Sequence, residues 1–235
     1  MGFAYLTIDD APSSDFQRKV AYLRARGVPA VFFCIGEQLE RYRLDVIQAI
    51  RDGFLIGNHS YSHARFSQLS VDQAATEVAT TDGIIDALYR DAGVERPAKL
   101  FRFPYADRGR QRRRFSRRLA AMGYEGLRIP SPRLPFPFVR ALRFTGRDSW
   151  WTFDLRDWCL SNGDHRHPIR SKRDVLDRLD QEIQQTWGRI GRNHVFLMHD
   201  HEQTAELFSE LVDRLLEHGT TFDLPDAARP RQLNA

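Results

Sequence analysis

Short apolar runs alternate along this chain with longer amphipathic segments, and this alternation limits the fold more than any other feature. Phe3–Ile8 and Ala30–Ile35 are rich in β-branched and aromatic residues, which favours strands. Between them, Asp15–Arg26 is predicted to be a helix capped by Ser13 or Ser14. Repeated strand–helix units predict a parallel sheet with helices outside it, arranged either as an open doubly wound sheet or as a barrel.

The same criteria predict the remaining elements. The predicted strands are Phe54–Gly57, Leu100–Phe103, Trp150–Phe153, His194–Met198 and Thr220–Asp223, and the predicted helices are Glu37–Asp52, Ser70–Asp91, Arg110–Met122, Ser171–Trp187 and Glu202–His218. Ser70 and Gln73 have the spacing of a capping box, and the proline-rich segment 130–137 is predicted to be a loop. Neither a linker nor a repeated block divides the sequence, so residues 1–235 are interpreted as one domain with its core over residues 3–223.

The composition excludes some classes of protein. The chain is 42% hydrophobic, enough for a core, but it contains no run of about 18 apolar residues that would predict a membrane span. Met1 lies directly before the first predicted strand, so a cytoplasmic location is expected unless a leader has been removed. Cys34 and Cys159 lie in apolar surroundings and are interpreted as buried free thiols, which fits a reducing compartment.

Positive charge is concentrated in the segment 107–118, DRGRQRRRFSRR, although the net charge is only +4. Such a cluster is found on surfaces that attract phosphates or acidic polymers. In an arginine-rich chain it is more often the exposed face of a helix, which is the interpretation that we favour. No nucleic-acid partner is expected.

Polar, ionisable or aromatic residues follow five of the predicted strands. They are Asp9 and Asp10, Asn58–His63, Pro104 and Tyr105, Asp154–Trp158, and His199–His201. Because the carboxyl ends of parallel strands open on the same side of a sheet or barrel, active residues gather there. Five such strand ends in one chain predict a catalytic site.

Two of these segments contain residues that bind metals. His59 and His63 are four apart, so one helical turn would place both rings on one face. Two imidazoles and a carboxylate suit a catalytic divalent metal. Of Asp9 and Asp10, one can bind the cation and the other can act as a base, since the cation offsets their repulsion. A turn would also explain the paired acids and is compatible with this interpretation.

Five motifs occur in a fixed order: TIDD, HSYSH, RFPY, DLRDW and LMH. Together they resemble the motifs of the NodB-type polysaccharide deacetylases, carbohydrate esterase family four, over residues 3 to about 223. The resemblance implies a distorted (β/α) barrel with a metal at its carboxyl-terminal mouth. It also implies a hydrolase that removes N-acetyl groups from an amino-sugar oligomer or polymer of the chitin or peptidoglycan type.

The resemblance assigns a role to each motif residue. Asp9 would be the general base, and the metal ligands would be Asp10, His59 and His63, with Zn²⁺ as the usual ion and Co²⁺, Ni²⁺ or Mn²⁺ as alternatives. The other implied roles are Arg102 holding Asp9 ionised, the Tyr105 backbone N–H stabilising the oxyanion, His199 as general acid, Asp157 orienting that acid, and Trp158 and Leu197 walling the acyl pocket.

The sequence departs from the family pattern at the edges of these motifs. Ala11 and Ala106 replace usual glycines, so each adds a methyl group near the mouth, and Ile8 replaces a common phenylalanine. His201, two residues after the implied acid, is interpreted as a residue at a helix start, with a second acid or a substrate contact as alternatives.

Two other functions are compatible with these residues. Relatives with the implied fold hydrolyse C–N bonds in small cyclic amides, ureides or imides, and an inactive barrel could use the arginine cluster to bind an acidic polymer. The intact motifs weigh against an inactive barrel. The sequence makes no prediction for the sugar or for the oligomeric state.

Overall fold

The computed structural model describes residues 3–127, 147–162, 167–186 and 194–225. Its strands are β1 (Phe3–Ala11), β2 (Ala30–Cys34), β3 (Leu55–Asn58), β4 (Phe153–Asp154), β5 (His194–His199) and β6 (Thr221–Phe222). Its α-helices are α1 (Phe16–Ala25), α2 (Gly36–Arg41), α3 (Arg43–Arg51), α4 (Val71–Ala92), α5 (Arg112–Ala121), α6 (Trp158–Asn162), α7 (Lys172–Thr186) and α8 (Ala205–Glu217). Single 3₁₀ turns occupy Phe66–Gln68, Pro104–Ala106 and Glu202–Thr204.

The strands form a parallel sheet in the order β3-β2-β1-β5-β4, with β6 beside β1. Beyond β3, the backbone of Asn58 exchanges hydrogen bonds with Leu100 and Arg102 at 2.8 and 3.0 Å. The N–H of Ser149 then donates to the carbonyl of Phe101 at 2.6 Å. These bonds bring the segment before β4 next to the segment after β3. The sheet therefore curves into a distorted barrel, one of the two arrangements that the sequence predicts.

Side chains alternate across the barrel wall, as strand geometry requires. Along β1, the even-numbered residues Leu6 and Ile8 pack in the large core beneath the helices. Tyr5 faces the other side and packs with Val31 and Val195 in a second cluster. The odd-numbered positions of β1 and β5 therefore line the interior and lead to the mouth.

Two helix predictions are wrong in detail. Asp15, rather than Ser13 or Ser14, is the N-cap of α1, and the hydroxyl of Ser13 instead donates to Asp200 at 2.8 Å. The predicted single helix Glu37–Asp52 is two helices, because Tyr42 adopts φ −110° and ψ 33°, outside the helical region. Tyr42 is neither glycine nor proline, so the sequence carries no signal for this break.

Some strand predictions also change. The predicted strand Leu100–Phe103 is reduced to one bridge between Phe101 and Asn58, and the strand predicted at Trp150–Phe153 is Phe153–Asp154. The short helix α6 was not predicted. The capping box of Ser70 and Gln73 is confirmed. The predicted loop 130–137 and the end of the helix predicted to reach Trp187 lie outside the described residues.

The arginine cluster and the two cysteines agree with the interpretations made from the sequence. On α5, Phe115 and Leu119 are buried while Arg112 and Arg113 are exposed, so its arginines lie on a solvated helix face. Both cysteines are buried, and neither is part of a disulfide. Within the described part of the chain, no helix combines the length and the apolar composition that crossing a bilayer requires.

Candidate active site

A bulge at the end of β1 brings both acids to the mouth of the barrel. The pairing of β1 with β2 shifts register between Ile8 and Ala11, and Asp10 has φ +63°. In a regular strand two neighbouring side chains face opposite sides. Here Oδ2 of Asp9 lies 3.8 Å, and Oδ1 of Asp10 lies 3.3 Å, from the same atom, Nε2 of His59. The bulge therefore allows two consecutive carboxylates to reach one site.

The segment that carries the two histidines is a loop, so the helical turn considered from their spacing is wrong. Ser60 and His63 have φ +66° and +57°. Glu77 on α4 holds the loop: its carboxylate accepts the backbone N–H of Tyr61 at 3.0 Å and of Ser62 at 2.8 Å. This conformation leaves the rings of His59 and His63 with their centroids 5.0 Å apart.

Asp10, His59 and His63 have the donor atoms that a divalent cation requires. Oδ1 of Asp10 lies 3.3 Å from Nε2 of His59 and 3.1 Å from Nε2 of His63. Ligand atoms at about 2.0–2.1 Å from a tetrahedral zinc ion lie about 3.3 Å from one another. Nδ1 of His59 is 2.9 Å from the carbonyl of Arg102 and donates its hydrogen there. In the neutral ring, Nε2 therefore carries no hydrogen and has a lone pair that can bind a metal.

The ionised state of Asp10 also suits the cluster to binding a cation. Burial would raise the pKa of Asp10, but its contacts with His201, His59 and His63 outweigh burial and hold that pKa well below its ordinary value. Asp10 is therefore a carboxylate. A carboxylate and two imidazole lone pairs that face one another need a proton or a cation between them, so the residues fit a bound metal.

Arg102 holds the second acid, Asp9, from inside the barrel. Its side chain is 1% exposed, and its Nη1 lies 2.6 Å from Oδ1 of Asp9 and 3.0 Å from Oγ1 of Thr7. Nε donates to the carbonyl of Ser149 at 3.2 Å, and the guanidinium lies 4.2 Å from the ring centroid of Phe33. Burial lowers the pKa of Arg102, and the charge of Asp9 opposes that change. Oδ1 of Asp9 thus accepts from Arg102, and Oδ2 lies 3.8 Å from Nε2 of His59.

His199 pairs with Asp157 and lies opposite Asp9 in the register of β1 and β5. Oδ1 of Asp157 is 2.9 Å from Nδ1 of His199, and Oδ2 accepts the backbone N–H of the same residue at 2.8 Å. Burial alone would lower the pKa of His199. The charge and hydrogen bond of Asp157, with the charges of Asp10 and Asp154, outweigh burial and raise it to about 10. The ring is therefore an imidazolium whose Nε2–H is left to donate.

The aromatic residues of the motifs flank these groups. Tyr105 has φ +55° and is 53% exposed, and its ring lies 4.5 Å from that of His63, centroid to centroid. The rings of Trp158 and His199 have centroids 6.4 Å apart. Leu197 is buried in β5 two residues before His199, so both side chains lie on the same face of that strand. The structure thus places Tyr105 beside His63 and Trp158 beside His199, with Leu197 below His199 on the same strand.

The two alanines that depart from the family pattern differ in position. The methyl group of Ala11 is fully buried in the main core, so it does not extend into the mouth as expected from the sequence. Ala106 has φ +54°, a conformation that costs less with glycine.

His201 is the site residue whose contact the sequence did not predict. It directly precedes the 3₁₀ turn Glu202–Thr204, as the helix-start interpretation expects. In addition, its Nε2 lies 2.9 Å from Oδ2 of Asp10. Because His201 follows His199 by two residues, the alternation of an extended chain could have indicated that both rings point to the same side.

Comparison with known proteins finds, over most of the chain, the family that the five sequence motifs resemble. A sequence model of the family described as "Polysaccharide deacetylase" matches residues 2–127, more than half of the chain. A peptidoglycan-N-acetylglucosamine deacetylase of Bacillus cereus is 33% identical over 103 residues, which are 43% of this chain and 36% of that protein. The peptidoglycan-N-acetylmuramic acid deacetylase PdaC of Bacillus subtilis is 24% identical over 91% of this chain and 36% of its own length.

Among solved structures, a family 4 carbohydrate esterase from Streptomyces lividans in complex with acetate superposes with a TM-score of 0.65. It is 25% identical, and the alignment covers 95% of this chain and 92% of that chain. By contrast, the aligned part of this chain spans about a third of the length of the two peptidoglycan deacetylases. The shared barrel and the match over more than half of the sequence show that this chain belongs to the polysaccharide deacetylase family.

Proposed function

We propose that this protein is a metal-dependent hydrolase that removes N-acetyl groups from an amino-sugar oligomer or polymer. One observation carries the proposal: a cluster of two imidazoles and a carboxylate lies beside a second carboxylate held by arginine and an imidazolium held by aspartate. Oδ2 of Asp9 is 3.8 Å from Nε2 of His59, and Asp9 is the register partner of His199. Amide hydrolysis needs a base for water and an acid for the leaving amine, and Asp9 and His199 would supply them.

Asp10, His59 and His63 would hold the metal, and we propose Zn²⁺. Two imidazole nitrogens and one carboxylate oxygen are a ligand set of catalytic zinc sites, which leave a position open. When bound, a divalent cation supplies polarisation of the acetyl carbonyl and a water molecule of lowered pKa. Co²⁺, Ni²⁺ or Mn²⁺ would suit the same ligands.

Asp9 would accept the proton of the attacking water through Oδ2. Arg102 occupies Oδ1 and prevents the carboxylate from turning away. Because the guanidinium is buried and held by Thr7 and Ser149, the base is fixed before substrate binds.

His199 would donate its Nε2 proton to the sugar nitrogen as the C–N bond breaks, which releases acetate and a free amine. Asp157 occupies Nδ1 and therefore directs the other ring nitrogen to this task. The Tyr105 backbone N–H would stabilise the oxyanion, and Trp158 and Leu197 would enclose the acetyl methyl group.

An N-acetylated glycan is the substrate class that the relatives favour. The named relatives are deacetylases of N-acetylglucosamine or N-acetylmuramic acid in peptidoglycan. For this chain we propose the same class of bond, the acetamide on carbon 2 of an amino sugar.

The experiment measures two products: the acetate released from N-acetylglucosamine oligomers or from peptidoglycan, and the ring-opened acid formed from each member of a panel of small cyclic amides. Purified protein with added Zn²⁺ or Co²⁺ should release acetate from a glycan, and a chelator should stop it. Hydrolysis of the cyclic amides alone would show that the substrate class is wrong.

Asp9→Asn tests the assignment of the base. This variant should lose at least about 100-fold in kcat, since a general base contributes 10²–10⁴-fold. It should still bind metal, whereas His59→Ala should not. Asp177→Asn, an exposed acid on α7, is the matched control. Wild-type kcat in Asp9→Asn, or wild-type metal affinity in His59→Ala, would contradict the assignments.

A further inference from the structure

The carboxylate of Asp10 has a partner on each oxygen. Oδ1 faces Nε2 of His59 and of His63, at 3.3 and 3.1 Å. Oδ2 lies 2.9 Å from Nε2 of His201, which comes from the segment after β5. One oxygen thus belongs to the ligand cluster, and the other accepts a hydrogen bond from outside it.

His201 is itself held in place. Its Nδ1 lies 2.9 Å from Oγ of Ser161 on α6, and its carbonyl accepts from Nζ of Lys19 at 3.1 Å and from Oγ1 of Thr204 at 3.2 Å. Since a carboxylate only accepts, Nε2 must carry the hydrogen. Ser161 donates to Nδ1 when the ring is neutral and accepts from it when the ring is charged, so the arrangement is stable in both states.

The position of His201 distinguishes it from a ligand. Over the described ranges, the groups of three or more donor atoms within 4.8 Å of one another are Asp10 with His59 and His63, and Asp154 with Asp157 and His199. His201 is in neither group, because its Nε2 lies at the oxygen that the ligand cluster does not use.

Asp10 needs such a support. It lies in a bulge at φ +63°, and its side chain is 18% exposed, so packing alone does not fix the carboxylate plane. A hydrogen bond on Oδ2 keeps Oδ1 towards the histidines and opposes rotation to a geometry in which both oxygens face the cation. Partners of this kind commonly change metal affinity by about 10–100-fold.

We propose that His201, anchored by Ser161, is a positioning residue that fixes Asp10 for metal binding. The proposal rests on the proposed metal site, but its test does not use catalysis. It assigns to His201 a role in affinity, without contact to the metal or the substrate.

The test is the dissociation constant of Zn²⁺, measured on metal-free full-length protein by competition with a chromophoric chelator. His201→Ala should bind Zn²⁺ about 10–100-fold more weakly than wild type. His201→Gln should restore most of the affinity, because its side-chain amide can donate from nearly the position of Nε2. A role in folding alone would not be rescued in this way.

The matched control is His218→Ala, which removes a histidine at the end of α8 that lies near Asp180. Its Zn²⁺ affinity should equal that of wild type. Ser161→Ala keeps the imidazole but removes its anchor, and should weaken binding less than His201→Ala. If His201→Ala fails to fold, weaker binding by Ser161→Ala supports the proposal, and unchanged binding overturns it.

Two other results would also overturn the proposal. One is wild-type affinity in His201→Ala. The other is a change in the visible spectrum of the Co²⁺-loaded variant to that of a site with one ligand fewer, since this would make His201 a ligand. Zinc binding without acetate release would contradict the proposed function. The role of His201 would still be decided by the Zn²⁺ dissociation constants of the variants.

Discussion

At the scale of single residues, the contact between His199 and Asp157 sets the charge of the proposed catalytic acid. Burial would lower the pKa of His199, but Asp157, Asp10 and Asp154 outweigh burial and raise it to about 10, from an ordinary value of 6.5. Because the folded pKa is the higher one, the contact stabilises the fold fully below about pH 6.5. That contribution is lost as the pH rises through about 10.

Asp157→Asn should move the alkaline limb of the kcat/KM profile to lower pH, by about 1–3 units. The amide removes the neighbouring charge and keeps only one oxygen for the two N–H groups of His199. The profile should be measured for both proteins with the same metal, because a nearby cation lowers the pKa of His199 in each. An unchanged limb would mean that another group supplies the proton.

At the scale of elements, α4 holds the histidine loop. Its start is fixed by the capping box of Ser70 and Gln73, and Glu77 faces the loop two turns later. The carboxylate of Glu77 accepts two backbone N–H groups and the hydroxyl of Ser62, at 2.9 Å for the hydroxyl. The left-handed conformation of His63 therefore depends on a helix outside the motif.

Glu77→Ala should weaken Zn²⁺ binding about tenfold, since the loop loses the contacts that fix His63. Glu77→Gln should bind nearly as well as wild type, because its amide oxygen can accept the N–H groups and its NH₂ can donate to Ser62. Isothermal titration of the metal-free variants would check both expectations. Glu210→Ala, on an exposed position of α8, is the control. Equal affinities for the alanine variant and this control would exclude the role of Glu77.

At the scale of the whole molecule, a buried ion pair joins the elements that carry the proposed base and the proposed acid. Nζ of Lys19 on α1 lies 2.5 Å from Oδ1 of Asp200, and both side chains are almost fully buried. Asp200 also accepts from the N–H and hydroxyl of Ser13, and its own N–H donates to the carbonyl of Asp9. The ends of β1 and β5 are therefore held together just beyond Asp9 and His199.

Lys19→Met should lower the free energy of unfolding by about 3–5 kcal/mol, because the carboxylate of Asp200 would remain buried without its counter-charge. Urea unfolding of the metal-free protein measures this change. Lys172→Met removes an exposed partner of Glu206 and should unfold almost like wild type. Similar midpoints for the two variants would show that the buried pair contributes little.

Much of the site was predictable from the sequence because the fold is made of parallel strands. Residues such as Asp9, His59 and His199 stand at the carboxyl ends of apolar runs, and the carboxyl ends of parallel strands meet at one mouth. The order of the motifs therefore determined which side chains assemble. Local signals were sufficient for the capping box at Ser70 as well, since its hydrogen bonds join residues three apart.

Only the tertiary structure decided the orientation of these side chains. The bulge at Asp10, the non-helical loop that ends at His63 and the break at Tyr42 have no local signal. The first two place their side chains through partners far away in the sequence, such as His201 for Asp10. Sequence patterns thus determined the membership of the site, because they follow strand order. Its geometry depends on hydrogen bonds between distant segments, which exist only once the barrel has formed.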